Sequence, residues 1–251
     1  LNRTMFAVVS DIHANLEALD TVLEAAPREA FDRVVILGDI VGYGADPNGV
    51  VDRVRALRPD AMIRGNHDKV ASGVEPADGF NYAARYAAMW TLETLTQENR
   101  DYLTALPTGP LVVDDTIEIC HGSPDDEDQY IFEHVDAVEA MRGASKPVCF
   151  FGHTHVAVAY WLSLTDFDVM LTSPLDRETH IRIAPERRYL INPGSVGQPR
   201  DGDPRAAYAT FDTDAMTVTL VRVAYDVAAT QAKIAAAGLP EGLARRLALG
   251  K

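Results

Sequence analysis

Two cysteines in 251 residues are too few for a disulfide framework. Cys120 and Cys149 each stand at or near the end of an apolar run, where a buried free thiol is the ordinary reading. Long apolar runs are missing too. No stretch is long enough to span a bilayer, and the opening LNRTMFAVVSDIH lacks the apolar segment and small-residue cleavage site of a secretory leader. A cytoplasmic protein without a membrane partner is expected. Basic residues are outnumbered, 23 against 37 acidic, for a net charge of −14. With no localised basic patch in view, stable attraction to nucleic-acid backbone or anionic lipid is not expected. Phosphate chemistry survives this argument, because divalent cations bound in a site would be its largest local charges.

At 47% hydrophobic the chain can bury a full core, and its length suits a single α/β domain over residues 1–251. The apolar run at residues 5–9 precedes a helical stripe of Leu16, Leu19 and Leu23, and the unit recurs. Residues 34–37 read as a buried strand, 38–46 as a loop, and Val50, Val54 and Leu57 as one face of a helix starting near Pro47. Repeated strand-helix order implies parallel strands. A short third strand at 61–63 leads into Gly65, and Tyr82, Tyr86, Met89 and Trp90 predict a helix extending towards Leu95. After Pro110 the pattern turns β-rich, with strand-like runs at 111–113, 117–120, 148–151, 156–162, 206–211 and 217–223. Helices are predicted around Val135, Val138 and Met141 and over 227–237. Residues 165–188 read as a hairpin or a surface excursion.

Five polar clusters each follow an apolar run: SDIH from Ser10, GDIVGYG from Gly38, GNHD from Gly65, HGSP from His121 and GHTH from Gly152. Side chains just beyond the carboxyl ends of strands in an open α/β sheet converge on one crevice, so groups distant in sequence can meet there. Imidazole mixed with carboxylate oxygen, and no thiolate in any cluster, suits divalent ions of intermediate hardness. Two such ions about 3.5–4 Å apart need a shared anion, and a lone Asp at a strand end supplies it. Asp39 is the candidate. A pair of this kind screens the charge of a phosphate ester and lowers the pKa of a bound water towards roughly 7, so the nucleophile is hydroxide.

The ordered set DxH, GD, GNHD, H and GHxH resembles the calcineurin-like metallophosphoesterases over most of the chain. The stretch NPGSVGQPRDGDPRAAY from Asn192, with the GDIVGYG form of the second motif, looks like the small bacterial phosphodiesterase-like branch. The resemblance implies a four-layer α/β/β/α sandwich of two mixed β-sheets flanked by helices. It implies two metal ions, drawn from Mn²⁺, Fe²⁺/Fe³⁺, Zn²⁺ or Ni²⁺, acting on a small phosphate-ester substrate. Asp11, His13 and His155 would hold one ion with Asp39, and Asn66, His121 and His153 the other, with Asp39 between them. His67 corresponds to the family's histidine that protonates the leaving oxygen, a role worth about 10²–10⁴ in rate. Asp68 is expected to orient that imidazole and raise its pKa.

One departure bears on substrate class. Phosphoprotein phosphatases of this superfamily carry GDxxDRG and GNHE, with an arginine that binds phosphate, where this chain has Gly42, Tyr43, Gly44 and Asp68. Phosphate binding then falls to the metals, His67, backbone N–H groups or a later arginine such as Arg200. Asn15 and Tyr43 are candidates to line the substrate pocket, against a helix cap for Asn15 and simple packing for Tyr43. The acidic run 125–128 reads as a solvated loop or as a lip repelling anions. Two other functions stay open: a protein phosphatase, and a non-catalytic scaffold on the same fold, like the retromer component that resembles these enzymes.

Overall fold

Period-two alternation along the strands decides the architecture. In strand β1 (Met5–Val9), Phe6 and Val8 face a core shared by two sheets, while Val9 faces helices; in β2 (Arg33–Ile36), Val35 and Ile36 divide the same way. The computed structural model describes residues 4–163, 167–171 and 176–251. One sheet runs in the order β3 (Ala61–Met62), β2, β1, β11 (Ala206–Asp212), β12 (Thr217–Val223) and β9 (Glu178–Arg182). The other runs β4 (Leu111–Val112), β5 (Ile117–Ile119), β6 (Val148–Phe150), β10 (Arg188–Asn192), β7 (Val158–Leu162) and β8 (Phe167–Leu171). Both sheets are mixed. Strands β1, β2 and β3 are mutually parallel, as are β5, β6 and β10, and the remaining pairings are antiparallel.

Phe6, Val8, Phe211 and Leu220 from the first sheet pack against Ile119, Phe150, Ala159 and Ile191 from the second. Helices α1 (Leu16–Ala25) and α2 (Pro47–Leu57) cover the far side of the first sheet through Leu19, Val22, Val50 and Val54. On the far side of the second, α6 (His134–Gly143) sets Ala137, Ala140 and Met141 on Cys149, Phe151 and Tyr160. The chain is therefore the expected four-layer sandwich. Both cysteines are buried in this outer layer as free thiols.

Helices α3 (Asn66–Ser72), α4 (Tyr82–Thr94) and α5 (Gln97–Thr104) follow β3, and α7 (Val227–Ala236) and α8 (Glu241–Leu247) follow β12. The last two pack on Tyr43 and on the α4 residues Ala84 and Ala87. Among the described residues, no helix is long and apolar enough to cross a membrane.

The stretch 165–188 does not form a hairpin with itself. Residues 165–166 and 172–175 lie outside the described residues, but β8 pairs with β7 at the edge of one sheet and β9 pairs with β12 at the edge of the other. The segment thus crosses between the sheets. Its signal is weak because β9 buries only Ile181, with charged Glu178 and Arg182 exposed, as suits an edge strand guarded against further pairing.

Phe211 is fully buried, with ring centroids of Phe6 and Phe150 at 6.3 and 6.5 Å, one from each sheet. Phe211→Ala should destabilise the protein by about 3–5 kcal/mol in urea unfolding. A loss under about 1 kcal/mol would show that the layer between the sheets is not what holds them together.

Candidate metal centre

The two parallel trios end at a common edge, and their loops are stitched together by backbone hydrogen bonds. Asp11 N–H donates to the Gly38 carbonyl at 3.1 Å and His13 N–H to that of Asp39 at 2.9 Å. Gly152 N–H reaches the His121 carbonyl at 2.9 Å, and Gly197 N–H the Asp11 carbonyl at 3.0 Å. With His153 N–H donating to Asp11 Oδ1 at 3.2 Å and Ile40 N–H to Asp68 Oδ1 at 2.9 Å, all five polar clusters meet. Nine non-glycine residues have positive φ among those described, and seven belong here: Asp11, His13, Ala14, Asp39, Tyr43, His153 and His155. Such conformations cost on the order of 1–3 kcal/mol each and persist only where their surroundings enforce them. Gly65 shows how tight the enforcement is, since a Cβ there would lie 2.1 Å from Asp39 Oδ1.

Two groups of buried side chains converge with ligand atoms within 4.8 Å of one another: Asp11, His13, Asp39 and His155, and Asp39, His121 and His153. Asp39 belongs to both. Its Oδ2 lies 3.5 Å from His13 Nε2 and 3.5 Å from His121 Nε2, while Oδ1 accepts from His67 N–H at 2.9 Å. Asp11 Oδ1 is 3.4 Å from His155 Nε2 and accepts from His153 N–H at 3.2 Å. Its Oδ2 is held by the Ser10 hydroxyl at 2.7 Å. Asn66 Oδ1 lies 3.3 Å from His121 Nε2, which puts the amide at the second group.

The rings are oriented by carbonyls, which can only accept. His13 Nδ1 donates to Val41 O at 3.1 Å, His121 Nδ1 to Leu37 O at 2.8 Å and His155 Nδ1 to Gln198 O at 2.7 Å. Each bond protonates Nδ1 and leaves Nε2 as the ligand atom. His153 is turned the other way, with Nε2 donating to Asp128 O at 3.1 Å and Nδ1 left over. The Nε2 atoms of His13 and His155 then face each other at 3.0 Å as two lone pairs. Two acceptors at that distance repel unless a cation lies between their electron pairs, so this donor set fits a metal ion.

Burial dominates the titration of these groups. It drives His13 and His155 well below the ordinary histidine range and takes His153 down to about 3 and His67 to about 4. Burial also lifts Asp11 to about 6, with the Asp39 charge adding to the rise. His121 goes the opposite way: burial opposes its charge, but contact with the Asp39 carboxylate pushes it up to about 10. Asp39 itself resists burial through His121 and the neighbouring imidazoles and is held well below the usual carboxylate range.

The remaining predicted residues divide. His67 is 4% exposed and lies between Tyr43 and Phe80, ring centroids 4.3 and 4.6 Å away, and 5.0 Å from His13. Tyr43 faces the same space, 4.7 Å from the His13 ring, with the Arg200 guanidinium over it at 5.5 Å. Arg200 bonds Gln198 Oε1 at 2.9 Å and exerts its charge on Asp11, His67 and His155. Asp68 corrects its expectation. Its carboxylate accepts the backbone N–H groups of Gly65, Ile40 and Val41 at 2.9–3.1 Å, which ties the GNHD and GDIVGYG loops together, while Nδ1 of the His67 ring is buried without a hydrogen-bond partner. Burial, with the Arg200 charge, lowers His67 instead of raising it. Asn15 is also corrected, from pocket lining to framework: Oδ1 caps α1 at Ala18 N–H (3.1 Å) and accepts from Thr230 Oγ1, and Nδ2 donates to Gly197 O. The acidic run is the solvated loop expected, with Asp125, Asp126 and Asp128 exposed, and its second half is tethered, because Glu127 pairs with Arg64 and Lys69 and Asp128 with Lys69.

Sequence reasoning missed the anchoring carbonyls of Leu37, Val41, Asp128 and Gln198, since backbone acceptors carry no residue signature. Ser10 and Ser195 were missed although both sit inside motifs; the Ser195 hydroxyl donates to Asp11 O at 2.7 Å. Lys69 was legible only as the residue after GNHD.

A model of the calcineurin-like phosphoesterase superfamily domain matches residues 5–216, and the chain belongs to that superfamily. It is 36% identical to the uncharacterized protein MJ0912 of Methanocaldococcus jannaschii over 99% of each chain. It is 26% identical to the phosphodiesterase YfcE of Escherichia coli, over 86% of this chain and 90% of that one. A metallophosphoesterase crystal structure from Sphaerobacter thermophilus superposes with a TM-score of 0.86 at 41% identity, covering all of both chains. These likenesses set the chain in the small bacterial phosphodiesterase-like branch.

Metal loading should release protons. His121, held up to about 10, is protonated in the metal-free protein at pH 8 and must be neutral to act as a ligand, whereas Asp11 at about 6 is already ionised. Calorimetric titration with Mn²⁺ in buffers of different ionisation enthalpy should show about one proton expelled at pH 8, declining as pH passes 10. No buffer dependence at pH 8 would place His121 outside the metal's reach.

Proposed function

We propose that residues 1–251 act as one cytoplasmic domain that hydrolyses the phosphoester bond of a small phosphodiester or phosphomonoester. The observation that carries this is the sharing of Asp39 between two buried ligand groups, with His67 directly alongside. Asp11, His13, Asp39 and His155 would hold one divalent ion, and Asp39, Asn66, His121 and His153 the other. When bound, the pair supplies charge screening for the ester and activation of the attacking water.

The chain's own groups supply the rest. A Cβ at Gly42 would lie 2.5 Å from His67 Nδ1, which is buried and without a partner, so that nitrogen is sealed against the loop. Proton exchange with the leaving oxygen then takes place at Nε2. At about 4 the imidazole is neutral near pH 7, and an anionic ester arriving beside it raises its affinity for a proton by charge attraction. Arg200, held over Tyr43, takes the place of the arginine missing from the second motif and orients the phosphate oxygens. Tyr43 positions that guanidinium.

Protein loaded with Mn²⁺ should hydrolyse an aryl phosphodiester or monoester; silence across a broad panel of substrates and of Mn²⁺, iron, Zn²⁺ and Ni²⁺ would favour the scaffold. His67→Ala should lower kcat by about 10²–10⁴ while elemental analysis still finds about two ions per chain. Loss of both ions in that variant would make His67 a ligand instead of a proton donor. Asp39→Asn should empty at least one site, because a neutral amide does not bridge two cations as a carboxylate does; full occupancy in that variant would remove the shared ligand from the account.

A further inference from the structure

Helix α4 is amphipathic in the inverse sense. Its buried positions are the small residues Ala84, Ala87, Ala88 and Thr91, whereas the large apolar stripe that predicts the helix faces outward. Tyr82, Tyr86 and Met89 are 79%, 44% and 40% exposed and Trp90 is half-buried. With Arg85 and Glu93 they line an open groove of about 540 Å³. A helix ordinarily buries its apolar stripe against another element. Among the described residues no element covers Tyr82, Tyr86 and Met89, and none of the six belongs to either ligand group.

The charges beside the stripe select what covers it. Arg85 and Glu93 stand four residues before and four after Met89, about 6 Å along the axis in opposite directions. At about 12 Å from each other along the helix they cannot pair, and among the described residues neither has an ion pair within the chain. In an isologous interface residue i meets j and j meets i. A second α4 running antiparallel across a twofold axis level with Met89 therefore sets Arg85 of each copy against Glu93 of the other, twice. A parallel arrangement would instead oppose like charges. The antiparallel one places Met89 at the axis beside the Tyr86 and Trp90 rings, and thioether packs well on aromatic edges. Tyr, Trp, Met and Arg are also the residues enriched at protein interfaces. A net charge of −14 disfavours nucleic acid or anionic lipid as the occupant.

We propose that this face is the interface of a homodimer in which α4 packs antiparallel on α4 of a second copy of this chain. Six residues a side fall well short of the roughly 20–30 of a standard interface, so the dimer is reversible and forms at micromolar concentration.

Sedimentation velocity of the full chain between about 1 and 200 µM tests it. The mass should rise from one chain to two over that range and stop there. Arg85→Glu and Glu93→Arg should each weaken the dimer about tenfold or more, by setting like charges against one another. The double variant Arg85→Glu/Glu93→Arg reverses both partners and should recover much of that loss, which no defect of folding would do. All three variants change exposed side chains and should keep the wild-type urea midpoint at concentrations where every form is a single chain. A chain that stays single throughout, a dimer indifferent to both charge reversals, or a double variant no tighter than either single one overturns the assignment. A mass that climbs past two chains overturns it as well, because a twofold contact closes on itself.

Discussion

Everything at the sheet edge is arranged around one buried carboxylate. Asp39 is 1% exposed, carries its charge among the imidazoles of His13, His67 and His121, and would be intolerable there without compensation, because an isolated ion in a low-dielectric interior costs many kcal/mol. Compensation arrives from both sheets: the His67 N–H and His13 from the first, His121 from the second. The same contacts that make the charge bearable leave its second oxygen pointing where two ligand groups meet. Stability and chemistry thus draw on one arrangement, and the strained loops around it follow from the need to turn several short polar side chains inward within a few residues.

Orientation is supplied by the backbone. Four histidines are fixed by carbonyls of Leu37, Val41, Asp128 and Gln198, three of them through Nδ1 and one through Nε2. These acceptors do not depend on which residue supplies them, so the ring directions are set by strand register and loop course. Asp68 acts in the same spirit, fastening the GNHD loop to the GDIVGYG loop so that Asn66 and His67 emerge at a fixed height above the first sheet.

Much of this was legible in the sequence because side-chain chemistry and strand pattern coincided. Asp11, His13, Asp39, Asn66, His121, His153 and His155 each follow an apolar run, and all gather at the predicted edge. The parallel strands near the start stood out because Val34, Val35 and Ile36 are buried on both sides. Other features left no trace in composition. Helix α3 is seven residues long and mostly polar, too short to show a period, and β8 and β9 belong to different sheets although they adjoin in sequence. Asp68 and Asn15 were misread because a carboxylate beside a histidine, or an amide beside a ligand loop, looks the same in sequence whether it serves the reaction or the main chain. The pairing of Glu127 and Asp128 with Lys69 joins a loop to helix α3 nearly sixty residues away, which local charge patterning cannot reveal.

Neither ligand group belongs to a single layer. The first joins Asp11, His13 and Asp39 from one sheet to His155 from the other, and the second joins Asp39 to His121 and His153 across the same seam. A half-assembled chain with one sheet formed would therefore offer only fragments of a chelate. Cation affinity comes into being when the halves dock, and by linkage any bound ion favours the docked state over the separated one. An ion bound there would in this sense be a rivet through the sandwich, and its removal would weaken the grip of the layers on each other.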